Sequence, residues 1–179
     1  MRAIFFLLAA ACATGSSNYG TVAIKSFSNA AAPAARFSVG QGTISGSSLN
    51  AALDDQGCIR GSVGGTPIAF CRDPANPNHW SGNSGDFTAA ASPDGHSVNV
   101  DGYLSLDTRR QASMTQVVRL GDGPQWDELR KNPALAAIAA TAADLQAAHI
   151  RHRSGAPRAR CGHLLGCQTL LSAWPACRS

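Results

Sequence analysis

The sequence predicts a mainly β chain: an antiparallel meander folded into a small barrel or sandwich and followed by a C-terminal Ala-rich helix. Three observations predict it. Between residues 20 and 120, short runs of β-branched and aromatic residues alternate with polar ones at a period of two, as strands with one buried face do. Short connections rich in Gly, Pro, Asp and Asn join most of these runs, which suits hairpins between sequential neighbours. Beyond residue 123 the apolar spacing changes to three and four, the period of a helix. Aromatics are scarce at 6% and glycines number 18, which favours many turns over a bundle of long helices.

Taken in order, GTVAIKSF (20–27) is short and β-branched, and ARFSVGQGTIS (35–45) carries Phe37 and Val39 at period two. LNAAL (49–53) alternates before the turn DDQG. In CIRGSVGGTPIAFC (58–71), Gly64-Gly65 is a two-residue turn signal, because primed turns need positive φ at both central positions. That turn sets Val63 opposite Thr66, Gly61 opposite Ile68, Ile59 opposite Phe70 and Cys58 opposite Cys71. Ile59, Val63, Ile68 and Phe70 then share one apolar face, and the cysteines fall at a closely spaced, non-hydrogen-bonded pair. A Cys58–Cys71 disulfide is therefore expected. Pro67 also falls where its missing N–H faces away from this partner, which suits an edge strand. Residues 73–85, DPANPNHWSGNSG, read as one longer loop. DFTAAAS (86–92), the turn Pro93-Asp94-Gly95, HSVNVDGYLSL (96–106) and a last strand near 112–120 complete a meander of up to eight strands.

GDGPQWDELRKN then begins a helix, with Pro124 at its first position, acids early and Arg130-Lys131 late. Asn132 and Pro133 start a second helix over roughly 133–150, with Leu135, Ile138, Ala142 and Leu145 as its sheet-facing stripe. His149 and His152 continue that stripe, where basic groups suit a helix end. The expected organisation is a signal segment (1–11), a tether (12–19), a β domain with its helix (20–152) and an irregular basic tail (153–179). The net charge of +4 belongs to that tail: residues 145–179 hold five Arg and no acid, whereas residues 12–144 hold nine Lys or Arg against eleven Asp or Glu. Such a tail reads first as a disordered appendage; as a binding segment it would suit anionic lipid or a surface polyanion, and nucleic acid is not an expected partner.

The amino terminus carries an address. Arg2 precedes the unbroken apolar run AIFFLLAAA, a positive n-region before an h-region too short for a permanent span. LLAAACATG resembles the lipobox of bacterial lipoprotein precursors. The resemblance covers about the first 15 residues. It implies cleavage between Ala11 and Cys12, lipidation of Cys12, and a place in the bacterial cell envelope, membrane-anchored and facing the periplasm or the exterior. Several acyl chains on one residue hold firmly where a single chain holds reversibly. The alternative is an ordinary signal peptide cut near Ala13, giving a secreted protein. Either route leads to an oxidising compartment, where the disulfide is chemically reasonable.

The sequence carries no recognisable catalytic constellation. GNSGDF (82–87) resembles the nucleophile stretch of trypsin-like proteases only poorly, and no His precedes His79 to serve as a base. Cys161, His163, Cys167 and Cys177, with His149 and His152, are of zinc-ligating types, but their spacing matches no paired knuckle. The pairing of the three tail cysteines is left open. Asp94, Asp101 and Asp107 lack a calcium-loop spacing. No metal and no cofactor is expected. Trp80 and His79 stand out as candidates for a contact surface, with burial of Trp80 under the loop as the competing reading. The expected function is a non-enzymatic binding or structural role as an envelope lipoprotein, with an envelope protein or a surface polymer as partner. The alternatives are a carrier of a small apolar ligand inside a β-barrel and, last, an exported hydrolase.

Overall fold

The structure is a computed structural model that describes residues 17–106 and 111–153. Its eleven strands are β1 (Asn18–Ile24), β2 (Ala35–Gly40), β3 (Thr43–Gly46), β4 (Leu49–Leu53), β5 (Cys58–Val63), β6 (Thr66–Asp73), β7 (Asn76–Gly82), β8 (Gly85–Ala91), β9 (Ser97–Ser105), β10 (Gln111–Ser113) and β11 (Gln116–Arg119). Helices α1 (Pro124–Lys131) and α2 (Pro133–Arg153) follow. Each strand from β1 to β10 pairs antiparallel with the next, and β11 pairs with the first half of β9 beside β10. The sheet curls into a half-barrel. Of the two arrangements expected, it is the barrel-like one, left open.

The β5–β6 hairpin has the register its turn dictates. Gly64 and Gly65 have φ of 58° and 83°, and Cys58 pairs with Cys71, Ile59 with Phe70 and Gly61 with Ile68. The Cys58–Cys71 disulfide is formed, with Cα atoms 4.0 Å apart. Next to it, Asp54 Oδ1 accepts hydrogen bonds from the backbone N–H of Gln56 and Cys58, which shapes the DDQG turn.

Several expectations change. Residues 35–45 are two strands, turned at Gln41-Gly42 with φ of 60° at Gly42. The expected long loop at 73–85 is strand β7 between two tight turns; Trp80 is its only buried residue, and the others are exposed or half-buried, so its period of two shows at a single apolar position. The last strand is broken into β10 and β11, where the Met114 N–H donates to Gly102 O. Strand β6 is not an edge. Pro67 is tolerated because β7 pairs only with the far end, Cys71–Asp73, while the Ala69 N–H donates to Ser84 Oγ instead.

Helix α2 is the other correction. A one-sided stripe was expected to lie on the sheet, yet every residue from Ala134 to Ala143 is buried. The sheet wraps this segment, and its small side chains let strands approach from several directions. The only polar group in the run, the Thr141 hydroxyl, donates to the Ala137 carbonyl one turn back. The strands packed on it bring Val22 of β1, Phe37 of β2, Ile44 of β3, Leu49 of β4, Phe87 of β8 and Val100 of β9 into the same core. Helix α1 lies against β1 and β2: Glu128, itself buried, accepts from the Gly42 N–H and from Asn132 Nδ2, both at 2.8 Å. No helix among the described residues is long and apolar enough to cross a membrane.

Candidate functional site: the open seam and the His79 face

The half-barrel ends in two edges, β1 and β11. With β10 and β11 sharing one lateral place, the sheet is ten strands across, so its two edges run in opposite directions. No backbone pairing joins them among the described residues. Between them lies an open cleft of about 720 Å³. Ile24, Ser26, Gln116 and Val118 face inward on its walls, and Ala140 of α2 forms its floor. Lys25, Phe27, Val117 and Arg119 form the outer rim. Phe27 is 69% exposed and Val117 56%, unusual for large apolar side chains so close together. Neither Lys25 nor Arg119 has a carboxylate partner among the described residues. Gln116 is 8% exposed, and its Nε2 has no hydrogen-bond partner among the described residues.

The chain holds this opening in place. Asp144 of α2 accepts from Ser26 Oγ at 2.6 Å and from the Ser28 N–H at 3.1 Å, which fastens the end of β1 to the helix. At the other wall, Arg130 of α1 donates to the carbonyls of Gly95 and Gly121 and pairs with Asp127, tying the β8–β9 turn to the segment that follows β11.

His79 and Trp80, the contact residues expected from sequence, sit elsewhere, on β7, and point to opposite faces. Trp80 is 1% exposed, stacked near-parallel on Phe87 with Arg72 above its ring at 4.8 Å. It is a core residue, and the contact-surface expectation for it is corrected: a strand puts its lone large apolar residue inward. His79 is half-buried on the outer face, its Nδ1 3.3 Å from Asp73 Oδ2 and its Nε2 3.0 Å from Asp86 Oδ1. The bond to Asp86, then that to Asp73, raises its pKa above the ordinary histidine value. Both ring nitrogens lie against carboxylates, an arrangement that favours the charged ring, in which each nitrogen donates.

The remaining candidates are accounted for or lie elsewhere. Asp94 shapes its turn by accepting from Ser92 Oγ and the His96 N–H, and Asp101 accepts from Thr115 Oγ1. Among the described residues no group of His, Cys, Asp and Glu is arranged to hold a metal. Cys12, Asp107, Cys161, His163, Cys167 and Cys177 lie outside the described residues, as does the His152 side chain; His149 is exposed near the end of α2. The seam residues were missed in the sequence. The available signal was topological: the first and last strands of a meander are edges unless they meet.

Fold and cleft together define a class, an open antiparallel half-barrel filled by a helix, with a binding-sized opening at its seam. No protein-family model, curated protein or solved structure matches the chain.

Proposed function

We propose that the protein is a cell-envelope lipoprotein, anchored through Cys12, whose role is binding rather than catalysis and whose binding site is the seam between β1 and β11. The observation that carries this reading is the cleft itself: two strand edges unpaired among the described residues and held apart over an apolar floor, with Phe27 and Val117 exposed at its rim. Exposed edges invite pairing, and proteins normally cover or blunt them unless they are used. The Cys58–Cys71 disulfide suits an exported chain. Helix α2 occupies the concave face, where a carrier would need its cavity. A small apolar ligand would therefore have to use the seam.

Two measurements test this. Intact mass of the protein extracted from membranes carries the anchor: the expected species starts at an acylated Cys12, and an unmodified full-length mass removes it. A photoreactive residue placed at Val117 in intact envelopes carries the binding site. Discrete adducts are expected there and not at Arg60, which is exposed on β5 away from the seam. Adducts from both positions alike, or from neither, overturn the assignment.

A further inference from the structure

We propose that the seam is a strand-addition site for an extended acidic peptide, an inference that rests on the seam being the binding site. Along β1, every second residue turns its N–H and C=O away from β2, and along β11 every second residue turns them away from β9. Both rows border the same cleft. An extended peptide presents matching groups at the same repeat along its own backbone. A lipid chain would cover the apolar walls and leave these polar groups unmet. Because β1 and β11 run oppositely, a strand laid between them pairs antiparallel with one and parallel with the other. Both ladders are ordinary.

The side chains then fix the chemistry. Inward, Ile24, Val118 and Ala140 ask for apolar residues at alternate positions. Outward, each wall presents one cation without a carboxylate partner among the described residues, Lys25 on the β1 side and Arg119 on the β11 side. Opposite charges across neighbouring strands are favourable, so the intervening positions call for Asp or Glu. Gln116 adds an independent sign: its buried Nε2 is a donor on the cleft wall without a partner among the described residues, where an incoming carbonyl or carboxylate supplies an acceptor. The same charges disfavour two other occupants. A second copy docking by β1 or β11 would bring its own Lys25 or Arg119 against these cations. Residues 154–179 of this chain contain Arg158, Arg160 and Arg178 and no acid.

The test uses the full purified chain and a fluorescent peptide of about seven residues, ordinary strand length, alternating Val and Glu. Its controls are a Val/Lys peptide and a Val/Glu peptide N-methylated at alternate amides. The Val/Glu peptide is expected to bind, and N-methylation or the exposed double substitution K25E/R119E is expected to weaken it about tenfold or more. K25E/R119E should also acquire affinity for the Val/Lys peptide, which loss of folding would not produce. Equal binding of acidic and basic peptides, indifference to N-methylation, no binding at all, or a dimer formed through the seam overturns the proposal. Failure here with Val117 adducts still forming in envelopes leaves the broader reading standing; loss of both removes both.

Discussion

His79 holds its imidazole between Asp86 and Asp73, and those bonds favour the charged ring. Asp73 in turn is held below the ordinary carboxylate value, chiefly by the Ala75 N–H and then by His79. The sign of the pH effect follows. A raised histidine pKa stabilises the fold fully below the unfolded value of about 6.5, and the contribution is lost as pH rises through the higher folded value. The lowered Asp73 pKa contributes above its unfolded value and fades as pH falls through the folded one. Replacing His79 with Gln is therefore expected to cost most in mildly acidic solution and least in alkaline solution, as read by denaturant unfolding across pH. An NMR titration of the ring should give a midpoint above the ordinary histidine range, lowered in Asp86→Asn; a midpoint at or below that range would mean the Asp86 bond is absent in solution. At this scale the sequence marked His79 and Trp80 as unusual without giving their directions. Only the register of β7 against β8, with Trp80 opposite Phe87 and His79 opposite Thr88, sends one inward and the other outward.

Among the elements, the β5–β6 hairpin was the most legible, because turn chemistry, apolar face and cysteine pairing all specify one register. The disulfide spans 13 residues, so the double substitution C58A/C71A is expected to lower unfolding free energy by about 3 kcal/mol through the freed unfolded chain. Urea unfolding with and without reductant checks it: reductant should lower the wild type to the level of the variant and leave the variant unchanged. Strand β7 was illegible for the opposite reason. Asn76, Pro77 and Asn78 are exposed, and loop chemistry and outer-strand chemistry look alike when one residue alone points inward. Gly102 shows what the curl requires of a strand. Its φ is 138°, and a Cβ there would lie 2.3 Å from the Asp86 carbonyl oxygen, so the backbone of β9 presses on β8 where the sheet bends. The glycine content alone pointed to turns; within the strands, Gly61, Gly85 and Gly102 instead permit this close approach.

For the whole molecule, α2 is the shared centre. Leu135 and Ile138 are fully buried among residues drawn from both ends of the sheet, so the strands should not melt independently. Unfolding followed by Trp fluorescence and by far-ultraviolet circular dichroism is expected to give one coincident transition, and Leu135→Ala should shift both probes together by about 3 kcal/mol. Separated transitions would show that one half of the sheet stands without the helix. The meander was readable from local signals because each strand's main partner is its sequence neighbour. That the sheet stays open, and that a helix fills it, depends on packing between distant segments. The alanine-rich run 136–140, broken only by Ile138, carries too little periodicity to declare which of its sides is covered. One consequence concerns the order in which a ribosome makes the chain. The trough is synthesised first and its filling last, so every hairpin emerges with its greasy lining bare until residue 143 or so has followed. The newborn polypeptide therefore passes through a long interval in which it is sticky and open to proteases, and quality-control machinery should meet it then rather than after completion.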